Sequence, residues 1–170
     1  MARRIVSITT ITPVGYADTT NMTNSTFPFY LQGGSSTQNN LVWEVSISGQ
    51  AQTSSSPTYM LLSRDSLVAA TSLSSGTGLT DASINPATVA LAAPPVTGNL
   101  STTLPQRSAT LHLANASLNA FGGVYFWRAN RMEECFVTLG NTASFGEVSL
   151  SAFTGGSVGA IGCHMIYEPL

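Results

Sequence analysis

The residues that could do chemistry are few and scattered. Two histidines, His112 and His164, and two cysteines, Cys135 and Cys163, are the obvious soft donors, and only Cys163-His164 are adjacent. A metal centre needs several such ligands converging on one ion, whereas neighbours on a strand point to opposite faces. Nucleophilic catalysis needs a hydroxyl or thiol held beside a base. Neither Ser63-Arg64-Asp65 nor Cys163 with His164 has the turn or oxyanion setting that serves such a nucleophile. Glu133-Glu134 are neighbours in a turn-like stretch, where a glycosidase needs two carboxylates flanking one bond. They read instead as a solvated loop, or as partners for Arg128 or Arg131. The chain has no lysine, so no Gly-rich segment makes a phosphate-binding loop. The expectation is a protein that is not an enzyme, with no catalytic residues, no cofactor and no metal.

The elements that would carry these residues are strands. Period-2 alternation places Leu41, Trp43, Val45 and Ile47 on one face and Glu44, Ser46 and Ser48 on the other. Val148, Leu150 and Ala152 separate in the same way from Glu147, Ser149 and Ser151. Ile161, Cys163, Met165 and Tyr167 oppose Gly162, His164 and Glu168, so His164 looks away from the core that Cys163 faces. Weaker strands are predicted at Arg3–Ile11, Phe27–Leu31, Thr58–Arg64, Ser108–Leu113, Gly123–Arg128 and Cys135–Leu139, divided by Gly, Pro, Asn and Ser clusters with turn chemistry. Short helices are conceivable only at Ser66–Leu73 and at Asn115–Phe121, where Asn115 would cap. Many short strands without a long helical pattern predict an all-β fold: a single-domain antiparallel β-sandwich, jelly-roll-like, over residues 1–170. Residues 1–12 form an N-terminal arm or strand. Residues 73–105, rich in Ser, Thr, Gly and Pro, form a long central loop or arm whose Val89, Leu91, Val96 and Leu100 pack on something.

Composition narrows the function classes. Charged residues are 8% of the 170, against about 25% in an average soluble protein, and the formal net charge is −2. A surface so poor in charge is coated with Ser, Thr, Asn and Gly, or is covered by neighbouring subunits. Nucleic-acid binding relies on clustered cations, and Arg3-Arg4 is the one adjacent basic pair. No run approaches the roughly 20 apolar residues of a membrane-spanning helix, and the opening residues lack an apolar signal core, so a chain made in the cytoplasm that stays soluble is expected. Cys135 and Cys163 fall at apolar strand positions and read as small core hydrophobes, with a disulfide as the alternative. Val124, Tyr125, Phe126 and Trp127 are apolar on both strand faces. Such a strand is either central in the core or covers its outer face with another subunit.

Leu118-Asn119-Ala120-Phe121-Gly122-Gly123-Val124-Tyr125-Phe126-Trp127-Arg128, then Gly140-Asn141-Thr142-Ala143, Gly146 to Gly156 and the closing Cys163 to Leu170, resemble a family of small structural proteins of tailed phages. The resemblance covers roughly the C-terminal third. It implies a capsid decoration, or cement, protein: a jelly-roll-like sandwich that binds the outer capsid surface as an oligomer and stabilises the shell. The implied partners are the major capsid protein and further copies of the chain, as a trimer at local three-fold positions or a dimer, with no nucleic acid and no membrane. The implied location is the virion. Arg3, Arg4, Tyr125 and Trp127 are the candidate interface residues. Two alternatives remain, the first of which shares every compositional feature. One is another virion part, either tail- or fibre-associated or a jelly-roll coat protein. The other is a carbohydrate-binding or adhesin module, with Tyr16, Tyr59, Trp43 or Trp127 stacking on sugar.

Overall fold

The computed structural model describes residues 5–9, 27–49, 57–65, 82–84, 96–100, 107–119, 122–140, 146–152 and 161–170. The strands are β1 (Val6–Thr9), β2 (Phe27–Gln32), β3 (Asn40–Gly49), β4 (Pro57–Asp65), β5 (Ala82–Ser83) and β6 (Val96–Leu100). They continue with β7 (Arg107–Asn119), β8 (Val124–Arg128), β9 (Phe136–Thr138), β10 (Glu147–Ala152) and β11 (Ile161–Pro169). The fold is all-β and antiparallel. A six-stranded sheet runs β5-β1-β11-β3-β8, with β9 also on β3, and a five-stranded sheet runs β6-β2-β10-β4-β7. We call them the first and second sheets.

The pairing is nested. The outermost strands in sequence, β1 and β11, lie together; inside them β2 pairs β10, β3 pairs β8, and β4 pairs β7. A long hairpin rolled upon itself would give this order, with successive strands crossing between sheets. The described strand pairings therefore all join residues far apart in sequence, which makes such a topology slow to fold.

One buried cluster unites the sheets. Val6, Val42, Val45, Ile47, Cys163, Met165 and Tyr167 come from the first sheet, and Leu31, Leu62, Ala116 and Val148 from the second. Both cysteines are buried thiols, and no disulfide joins them. A smaller cluster of Leu41, Ala129 and Cys135, with Trp43 and Val137 against it, forms where a 3-10 turn at Met132–Glu134 leads from β8 into β9.

A β-bulge changes the face assignment expected for β3. Glu44 pairs Ile166 and Val42 pairs Tyr167, so Trp43 is an extra residue between them. The inward set becomes Val42, Val45 and Ile47, while Leu41 and Trp43 move to the smaller cluster on the other face. The Trp43 carbonyl accepts the Ala129 N–H at 2.9 Å, which ties the bulge to the end of β8. Bulges reset alternation in this way, and simple period-2 reading does not see them.

Of the two short helices expected, 115–121 begins as the last part of β7, and 66–73 lies outside the described residues. Asn115 pairs Leu61 and Ala116 pairs Met60, so strand pairing along β4 overrides the capping signal. Within 73–105, the described residues include β5 and β6, each at the outer edge of a sheet. The β7–β8 connection passes through Gly122 at φ 107°, a conformation that side chains other than glycine rarely adopt.

Polar groups close one end of the sandwich. The Asn40 amide, fully buried, donates to Thr138 Oγ1 at 2.7 Å, and Gln38 Oε1 accepts the Gly34 N–H at 2.6 Å. Gly33 and Gly140 let these loops touch: a Cβ on Gly140 would strike the Ser36 carbonyl, and one on Gly33 the Gln38 carbonyl.

Candidate functional site

The outward face of the first sheet gathers side chains that the sequence leaves far apart. Strand register explains how. Ser7 pairs Ile166 and His164 pairs Ser46, so Ser7, His164 and Glu44 sit on successive diagonals of β1, β11 and β3, while Glu44 pairs Arg128 of β8 directly. Ser7 Oγ lies 2.8 Å from His164 Nε2. On the other side of the ring, His164 Nδ1 is 3.8 Å from Glu44 Oε1, and Arg128 Nε is 3.9 Å from Glu44 Oε2.

A hydroxyl, an imidazole and a carboxylate in that order invite comparison with a nucleophile, its base and an orienting acid. Two features weaken that chemistry. At 3.8 Å the carboxylate is too far to hydrogen-bond the imidazole and fix its tautomer. Ser7 also sits on a strand paired on both sides, to Ala82 and to Ile166, where backbone N–H groups lie in the plane of the sheet. An oxyanion hole needs donors aimed above that plane. The row is better understood as a polar tie across strands.

Beside the row lies an open groove of about 400 Å³. Its floor is Trp43 and Glu44 of β3 with Ile166 and Glu168 of β11; Arg128, Ala129 and Asn130 form one wall, and Ile5 and Ile84 the other. Trp43 Nε1 donates to Glu168 Oε2 at 3.0 Å, which fixes the indole. Glu168 is 4% exposed, so this carboxylate is held mainly by protein. The Ile84 N–H donates to the Ile5 carbonyl at 2.9 Å and joins the second wall. Among the described residues no group of three or more His, Cys, Asp or Glu is placed to hold a metal ion, and no helix is long and apolar enough to cross a membrane.

The candidate interface residues are placed unevenly. Arg3 and Arg4 lie outside the described residues. Tyr125 and Trp127 are half-buried and pack against the main cluster, with Trp127 stacked on Phe136 at a centroid distance of 4.0 Å. Their strand neighbours point the other way: Val124 is 73% exposed and Phe126 56%. β8 is not central; it is the last strand of the first sheet. His112 is exposed on β7, and Glu133 and Glu134 are exposed at the 3-10 turn. There Glu134 accepts the Asn130 N–H at 2.8 Å, and the carboxylate facing Arg128 is Glu44, not either of those two.

Alternation signalled that His164 faces outward. Its meeting with Ser7 and Glu44 depends on register between strands at opposite ends of the chain, for which no local sequence signal exists. The exposure of Trp43 to the groove depends on the bulge. No protein-family model matches the chain, and no curated protein or solved structure matches it either.

Proposed function

We propose that the chain is a structural subunit of a virus particle, a cement protein that decorates a tailed-phage capsid and braces the shell. Its partners in this reading are the major capsid protein and other copies of itself, as a trimer or a dimer. The observation that carries the reading is the outward row Val124 and Phe126 on β8, a large apolar pair left in solvent on an edge strand. Natural edges are normally blunted by lysine, proline or inward charge, and Val124–Arg128 has only a terminal Arg128. An edge so exposed is suited to a neighbour. A chain that is 8% charged supplies little surface charge to oppose that contact. Repeated over a shell, modest contacts add by avidity.

A second reading within the same class is favoured by the strand order. We read the nested pairing of β1 to β4 with β7, β8, β10 and β11 as a jelly roll, an architecture used by viral capsid domains among others. A jelly-roll coat protein that forms the shell wall itself fits that order as well as a decoration does. Fold alone does not decide function.

Electron microscopy of particles that contain the chain separates the two. Density outside a complete shell, lost without the chain while the shell persists, is the outcome expected for cement. Density in the wall assigns the coat role, and absence from particles overturns both.

A further inference from the structure

We infer that the outer groove of the first sheet is a saccharide-binding site, taking a neutral polyhydroxylated ring between the β8 wall and the Ile5–Ile84 wall. Ligand sites are typically concave, with apolar and aromatic surface and a few placed polar groups. The groove has that make-up. Trp43 offers an indole whose orientation is set by its bond to Glu168, and Ile5, Ile84 and Ile166 supply apolar surface for the C–H faces of a ring.

The polar groups favour a neutral ligand over an ion. Glu44 has its countercharge in Arg128, and Glu168, 4% exposed with Oε2 held by the Trp43 indole N–H, is little open to a charged guest. The hydrogen-bonding capacity of Glu44 is less committed than its charge. Arg128 Nε stands 3.9 Å from Glu44 Oε2, beyond hydrogen-bond range, so a hydroxyl placed beside both can accept from the guanidinium and donate to the carboxylate. Adjacent ring hydroxyls suit this planar donor and acceptor pair, and the exposed amide of Asn130 on the same wall adds one of each kind. A ligand hydroxyl that makes the bonds a water would make in such a gap loses little by displacing it. The cation on the rim, Arg128 at 69% side-chain exposure, also disfavours a cationic guest.

The test uses the full purified chain and the methyl glycosides of glucose, galactose, mannose and N-acetylglucosamine, read by saturation-transfer NMR and titration. The expected result is binding of at least one glycoside with a Kd of about 10 mM or tighter. Arg128→Ala and Asn130→Ala are each expected to weaken it at least tenfold without lowering the thermal midpoint. Both side chains are at the surface, so these variants keep the fold. Trp43→Ala should abolish binding, and Trp43→Phe should restore part of it, which separates a lost platform from a lost fold. Binding of none of the four overturns the inference, as does binding indifferent to Arg128→Ala and Asn130→Ala. Tighter binding of arginine methyl ester than of every glycoside overturns it in favour of a cationic guest. The assembly reading stands or falls separately, because particle microscopy makes no use of the groove.

Discussion

The two faces of the first sheet share one backbone and follow different rules. Inward, Val6, Val42, Val45, Ile47, Cys163, Met165 and Tyr167 are buried and uncharged. Outward, along the same strands, Ser7, Glu44, His164 and Arg128 form a loose polar row beside a groove, flanked by exposed Val124 and Phe126. Burial of one methylene is worth about 0.8 kcal/mol, so an inward side chain can contribute several kcal/mol. A hydrogen bond on the outward face nets about 1 kcal/mol. Inner positions thus hold the fold, and outer positions are free to serve contact.

The contrast is broken most directly at Tyr167, a large side chain 1% exposed in the middle of the inner face. Tyr167→Ala is expected to cost about 3–5 kcal/mol in urea unfolding, the range for deleting a buried aromatic ring. A loss under about 1 kcal/mol would mean that the inner face is not the main source of stability.

Gly140 sharpens the comparison because it belongs to neither face. Gly140→Ala removes no apolar contact, yet its Cβ would meet the Ser36 carbonyl, which is backbone and cannot rotate away. The expected cost is about 1–3 kcal/mol, the range for overpacking. Retention of full stability in thermal unfolding would show that the Ser35–Asn39 loop can shift aside.

Ser7→Ala comes next. It removes the hydrogen bond to His164 Nε2 across β1 and β11, and is expected to cost about 1 kcal/mol in the same unfolding experiment. A cost like that of Tyr167→Ala would place the outer row among the structural essentials and blur the distinction between faces.

Sequence and structure agree best where burial is one-sided. Strands with regular alternation, such as Ile161–Pro169, read correctly because inward Cys163, Met165 and Tyr167 alternate with outward Gly162, His164 and Glu168, although the outward Ile166 is apolar. The edge strands β5 and β6 lie inside a Ser, Thr and Pro-rich stretch that reads as a loop, where pairing to β1 and β2 sets the conformation more than side-chain type does. For the outer row, alternation gave the outward facing of Glu44 and His164 but not their meeting with Ser7. Ser7 and His164 are 157 residues apart, and only register brings them within 2.8 Å. For β8, composition showed that both faces were apolar but not which face was in solvent. Tyr125 and Trp127 are the larger interface candidates by side chain, while the exposed pair is Val124 and Phe126.

Phe126→Asp gives the smallest expected change in stability and the clearest separation of faces. With its side chain more than half exposed, Phe126 gives up little burial on substitution, so urea unfolding should shift by no more than about 0.5 kcal/mol. In an assembled state the new carboxylate would have to be desolvated against a neighbour, which is costly for an unpaired charge. Light scattering should therefore show loss of the oligomer, and co-sedimentation loss of particle binding, at unchanged fold. The inward neighbour supplies the control: Tyr125→Ala should lower stability while leaving association of the folded fraction intact, since Tyr125 packs against the main cluster. If Phe126→Asp assembles normally, the exposed row is not the contact and the proposed reading loses the observation that carries it.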